Sequence, residues 1–157
     1  MMLSAIDRSA LSDVVYRYAA AVDDRQFDFA TQLFTQEAEL IVPEPPAALE
    51  PVHRHCGHAA ISAAIAAVTA VTRTEHAIVG EVYDDDPRPR VARGRIACIA
   101  HHWSREADRV TDVVWHLRYD DEYLLTDARW RIARRALTIN AIETRPLRRL
   151  RFGDPSE

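Results

Sequence analysis

Residues 5–23 space Leu11, Val14, Val15, Tyr18, Ala19 and Val22 three and four apart, which predicts one apolar stripe along a helix. Ser4 stands where an N-cap belongs. A shorter run, 26–34, sets Phe27, Ala30, Leu33 and Phe34 on one side and predicts a second helix. AELIV at 38–42 reads as a short apolar strand, and the proline-rich PEPPAALEP behind it predicts loop. VHRHC at 52–56 fits a second short strand. Gly57 then breaks the chain, and HAAISAAIAAV predicts a third helix whose alanines would let it lie close against a sheet.

From Thr72 the apolar period changes to two. Strands are predicted at 73–83, 90–103, 109–125 and 129–142, joined by turns at YDDDPRPR, SREADR and TDAR. Three helices followed by a long antiparallel meander make an α+β fold. The reading is one domain over 1–143 and a basic tail over 144–157, TRPLRRLRFGDPSE, mobile at its end. Leu147, Leu150 and Phe152 stand among arginines there and are expected to cover the sheet or a subunit contact.

Composition narrows the classes. At 157 residues with 48% hydrophobic and 28% charged positions, the chain can bury a core and is not of disordered type. A net charge of −4 offers no basic field for nucleic acid. Cys56 and Cys98 make no disulfide framework, which points to a reduced, cytoplasmic setting. Asp7 and Arg8 interrupt what a signal peptide would need apolar, and no run is long enough to span a membrane.

The candidate chemistry begins with Asp23, at the end of the first helix in VDDRQ, and His76, inside the alternating TRTEHAIVG. A carboxylate and an imidazole are each costly to bury alone and far less so together. An aspartate that fixes a histidine tautomer leaves the other ring nitrogen free to take a proton. The plain alternative is a helix-capping Asp23 and a satisfied core histidine. HRHCGH at 53–58 packs its histidines and cysteine too tightly for four to converge on a metal. His101 and His102 are consecutive, so only one can face inward; His102 shares parity with Cys98. Arg131, Arg134 and Arg135 read as a solvated strand face. Cys98, in RIACIA, reads as an inert buried thiol. Phosphate-binding glycine loops and the G-x-S-x-G nucleophile motif are missing.

YAAAVDDRQFDFATQLFTQEAEL, GHAAI, TRTEHAIVG and RYDDEYLLTDARWRIARR, taken in order, resemble the SnoaL-like and scytalone-dehydratase-like branch of the nuclear-transport-factor-like superfamily, over about Ala5 to Glu143. That resemblance implies a cone: three N-terminal helices packed on a strongly curved, mainly antiparallel sheet enclosing one pocket. It implies a catalytic dyad in which His76 removes a proton from carbon and Asp23 orients it. It places His116 as a second catalytic histidine, against the alternative of an exposed strand residue, and Tyr18, Val22 and Val42 as substrate-binding positions. Scytalone dehydratase has carbonyl-polarising tyrosines where this chain has Val22 and Val42. The related dehydrochlorinase has a lysine near Tyr18, so dehydrochlorination is not implied. The expected protein is a cofactor-free, metal-free dehydratase, cyclase or isomerase of a small hydrophobic polyketide-, terpene- or steroid-like molecule, working as a homodimer or homotrimer. The alternative is a non-catalytic ligand-binding or partner subunit of the same fold.

Overall fold

The computed structural model describes residues 2–151. Helix α1, Ala5–Asp23, opens on a capping box in which Ser4 Oγ accepts from the Asp7 N–H and Asp7 accepts from the Ser4 N–H. Its buried stripe is Leu11, Val14, Val15, Tyr18, Ala19, Ala21 and Val22, the predicted face plus Ala21. Helix α2, Phe27–Gln32, is short, and helix α3, Gly57–Ile65, continues into a 3₁₀ turn over Ala66–Ala70.

The six strands are β1 Phe34–Glu44, β2 Ala48–Cys56, β3 Arg73–Asp85, β4 Val91–Glu106, β5 Arg109–Thr126 and β6 Arg129–Pro146. They form one sheet in the order β2-β1-β6-β5-β4-β3. Every pairing is antiparallel except β1 with β6. Strands of up to 18 residues cannot stay flat, because the twist accumulates along and across them. The sheet curves, and α1 packs across its β3 side with the core between them. This is the predicted α+β cone.

Three local expectations change. The second helix ends at Gln32, and Phe34 begins β1 instead, buried against Tyr18. The proline-rich segment is mostly strand, because each proline avoids a missing ladder bond. Pro43 falls at the register shift between Val42 and Glu44, and Pro51 lies on the edge strand β2, so only residues 45–47 turn. Finally, β6 runs to Pro146, so residues 144–146 belong to the sheet, with Thr111 opposite Pro146. Leu150 is buried and Leu147 half-buried, as expected of apolar groups in a basic run. Phe152 and the chain end lie outside the described residues.

Candidate active site

Asp23 is the last residue of α1, and β3 passes beside it. Its carboxylate accepts three hydrogen bonds: from the His76 backbone N–H at 2.8 Å, from Thr74 Oγ1 at 2.9 Å and from His76 Nδ1 at 2.7 Å. Because a carboxylate only accepts, Nδ1 carries the ring proton and Nε2 is left with its lone pair. The His76 side chain is 9% exposed and that of Asp23 20%. Thr74 and His76 share one face of β3, two residues apart, so one carboxylate can hold both. The structure thus brings together the two residues that sequence reasoning paired.

A second histidine stands beside them, and it is His102. Thr74 and His102 are opposite one another on β3 and β4, and the His76 and His102 ring centres are 6.4 Å apart. The His102 ring leans on Trp115 at 4.4 Å. Its Nδ1–H donates to the Val113 carbonyl at 2.8 Å, so Nε2 again carries the lone pair. Burial pushes the His102 pKa down, His76 adds to that, and the Val113 carbonyl and Asp112 oppose it. The ring is therefore neutral near pH 7.

His116 is not brought to this group. It follows Trp115 on β5, so it points to the other face of the sheet, where it meets Glu143 at 2.9 Å with 38% of its side chain exposed. The resemblance placed it inward, but on β5 it alternates with Trp115 and Leu117, which pack against the core, and so takes the opposite face. His101 also faces outward, with Nδ1 2.6 Å from buried Asp112. Tyr18 and Val22 are buried on the inner side of α1, and Val42 is half-buried against the core.

The largest departure from the sequence reading is Arg135. Instead of lying on a solvated face it is fully buried, with its Nε and Nη2 donating to Asp121 at 2.8 and 2.7 Å. Tyr123 also donates to Asp121, at 2.5 Å. The guanidinium sits between two rings, 4.4 Å from the centre of Tyr18 and 4.0 Å from that of Tyr119. Arg134 remains on the surface beside Glu39. Strand parity could have separated Arg134 from Arg135. Nothing local in RIARR says which of the two faces inward.

Cys98 is buried on β4. Burial pushes its thiol up to about 12, with Arg135 opposing and Asp23 adding to the rise, so the thiol is inert. A separate cleft of about 940 Å³ opens between α1, α2, the start of β1 and the β5–β6 turn. Its Asp13–Arg17 pair is exposed, and its His58 bonds the Phe34 carbonyl, so it presents no carboxylate-oriented base of the Asp23–His76 kind. Among the described residues no group of three or more His, Cys, Asp or Glu could hold a metal, and no helix is long and apolar enough to cross a membrane.

The SnoaL-like domain matches this chain over residues 4–136. The chain belongs to the SnoaL-like family. Solved structures agree on the fold. A candidate scytalone dehydratase from Novosphingobium aromaticivorans is 17% identical over 96% of this chain and 93% of its own, with a TM-score of 0.72. A hexachlorocyclohexane dehydrochlorinase from Novosphingobium barchaimii is 17% identical over 96% of each chain, also at 0.72. A protein from Kribbella flavida is 25% identical over 88% of this chain and 93% of its own, at 0.73. The comparison with curated proteins finds no match.

Proposed function

We propose that this SnoaL-like protein removes a proton from carbon in a small hydrophobic molecule, using His76 as the base and Asp23 to orient it. The observation that carries this reading is the three-bonded carboxylate of Asp23, which holds the His76 ring through Nδ1 and so makes Nε2 the ring nitrogen placed to take a proton in the protein interior. In the step, a C–H bond breaks and its proton moves to Nε2. The electron pair stays on the substrate, where it expels a leaving group, shifts a double bond or closes a ring. Asp23 stabilises the imidazolium that forms. His102 replaces His116 as the second histidine: neutral, with its lone pair on Nε2, it accepts a hydrogen bond from a substrate hydroxyl. Elimination, isomerisation and cyclisation all begin with this proton transfer.

The rival reading is a ligand-binding protein without chemistry, and it draws on apolar Val22 and Val42, which supply no carbonyl-polarising group. Exchange of α-protons in D₂O, followed by NMR on a panel of bicyclic and tricyclic ketones, separates the two. The expected result is exchange with the wild type, none above background with His76→Ala, and a loss of at least about 100-fold with Asp23→Asn, whose amide favours the wrong tautomer. Both variants should keep their fold. Exchange unaffected by either substitution would exclude the dyad as the base.

A further inference from the structure

Asp112 is a buried acid that the chemistry above does not use. On β5 it alternates with Val113 and Trp115, so it belongs to the outer face of the sheet, with Val114 and His116. A carboxylate on that face is expected in water, yet its side chain is only 5% exposed. Burying a carboxylate is strongly unfavourable unless its oxygens are paired. Both are paired here. Oδ2 accepts from His101 Nδ1–H at 2.6 Å, and Oδ1 accepts from the His102 backbone N–H at 3.2 Å. The His101 ring lies on the outer face, stacked on Trp103 with 5.8 Å between centres. His102 is the next residue and points the other way, its ring centre 6.4 Å from that of His76. One carboxylate therefore holds a ring on one face of β4 and the backbone of an inward histidine.

We propose that Asp112 is a positioning residue for His102, working from the opposite face of the sheet with its carboxylate fixed by His101. This rests on the reading above that His102 serves the site beside His76. The arrangement repeats the one at Asp23, whose carboxylate also accepts from a histidine Nδ1 and a strand N–H at once. There both bonds go to one residue. At Asp112 they go to consecutive residues, so the fixed ring and the positioned ring face opposite sides. Asp112 also stands next to Val113, whose carbonyl accepts from His102 Nδ1 at 2.8 Å. The two neighbours on β5 thus hold His102 at backbone and ring, and together they set the direction of Nε2.

The surroundings leave Asp112 to this task. The other charged or titratable groups on this part of the outer face are Arg73 and Glu75 on β3, Arg105 on β4, His116 on β5, and Glu143 and Arg145 on β6. Arg145 is the register partner of Asp112 but pairs with Glu143, which also meets His116. A strand favours a β-branched residue over an aspartate, so local structure alone does not call for this one. Its charge also reaches His102. Burial lowers the His102 pKa most, His76 and His101 add to that, and the Val113 carbonyl and Asp112 oppose it. Substitution at Asp112 therefore changes both how the ring is held and the pH at which it protonates.

Imidazole nitrogen chemical shifts of ¹⁵N-labelled protein report the tautomer and the pKa of each histidine and need no substrate. In the wild type His102 should be in the Nδ1–H form. Asp112→Leu with His101→Phe removes both polar partners together and keeps a ring on Trp103. In that variant the ratio of Nδ1–H to Nε2–H at His102 should fall about tenfold or more, the factor that a lost hydrogen bond to a charged group carries. Asp112→Asn keeps an acceptor for the His102 N–H and loses the charge. It should retain the His102 tautomer and lower the His102 pKa. It should also turn His101 to the Nε2–H form, because the amide donates where the carboxylate accepted. The proposal is overturned if wild-type His102 is in the Nε2–H form or if the double variant keeps the wild-type ratio. It is overturned equally if Asp112→Asn leaves the His102 pKa or the His101 tautomer as in the wild type. A lowered melting temperature with the ratio intact would make Asp112 structural only. Should the double variant fail to fold, the Asp112→Asn result decides. A wild type without α-proton exchange but with the expected His102 response would sink the proton-abstraction reading and spare this one; exchange with an unchanged His102 ratio in the double variant would do the reverse.

Discussion

His102 ties the site to the stability of the protein. In the unfolded chain it takes a proton as the pH falls through about 6.5, whereas in the folded state burial delays this to lower pH. The unfolded state therefore binds more protons in that interval, and stability must fall as the pH drops from about 6.5 to the folded value, with no effect above it. Asp7, Asp86 and Glu143 act in a separate, more acidic window: hydrogen bonds depress each of them, so their stabilisation is lost only as the pH falls through those lowered values. Urea denaturation of the wild type and His102→Gln between pH 5 and 8 should show a shallower acid-side slope in the variant. Equal slopes would mean that His102 is protonated as readily folded as unfolded. Asp23 and His76 were legible at this scale as candidates, and the family resemblance, not the residues alone, paired them. His102 was legible only as one of two alternatives, because strand parity relative to Cys98 had to be combined with the path of β3.

At the scale of elements, one row of residues crosses the sheet: Tyr83 on β3, Gly94 on β4, Asp121 on β5, Arg135 on β6 and Leu40 on β1. Gly94 is the small member that admits Tyr123, whose ring also lies 6.0 Å from that of Tyr83. Gly94→Ala would force the added methyl into the Tyr123 ring, 2.7 Å away, and is expected to cost about 1–3 kcal/mol. The penalty should shrink in a Tyr123→Leu background, as a double-mutant cycle by chemical denaturation would reveal. A cost unchanged by the second substitution would place the strain elsewhere. Sequence periodicity located β3 to β6 within a few residues, but it placed a loop where Pro43 and Pro51 lie in strands. A proline excludes a ladder bond only where the partner needs one, and the bulge at Pro43 and the edge position of β2 remove that need.

For the whole molecule, the segment after β6 has a measurable part in the fold. The Leu147 N–H donates to the Val110 carbonyl at 2.8 Å, and Leu150 is only 7% exposed. Truncation after Pro146 should therefore lower stability by about 2–3 kcal/mol, read as a shift of the urea midpoint at constant slope. A midpoint that does not move would show that burial of these leucines contributes nothing net.

The sequence by itself determined the α+β class, the amphipathic face of α1 and the meander of β3 to β6, each of which follows from local periodicity. The Asp23–His76 pairing was left open by the residues alone, which also allow a helix cap and a core histidine, and was implied by the family resemblance. Tertiary structure decided the rest of the site. Whether a strand residue faces the core depends on its register with its neighbours. Alternation along β5 turned His116 away from the face that Trp115 and Leu117 share, and the pairing of β3 with β4 brought His102 beside His76. Arg134 and Arg135 carry the same side chain on adjacent residues. Only the curvature of the sheet, and the place of Asp121 opposite one of them, put Arg134 on the surface and Arg135 at the centre of the molecule.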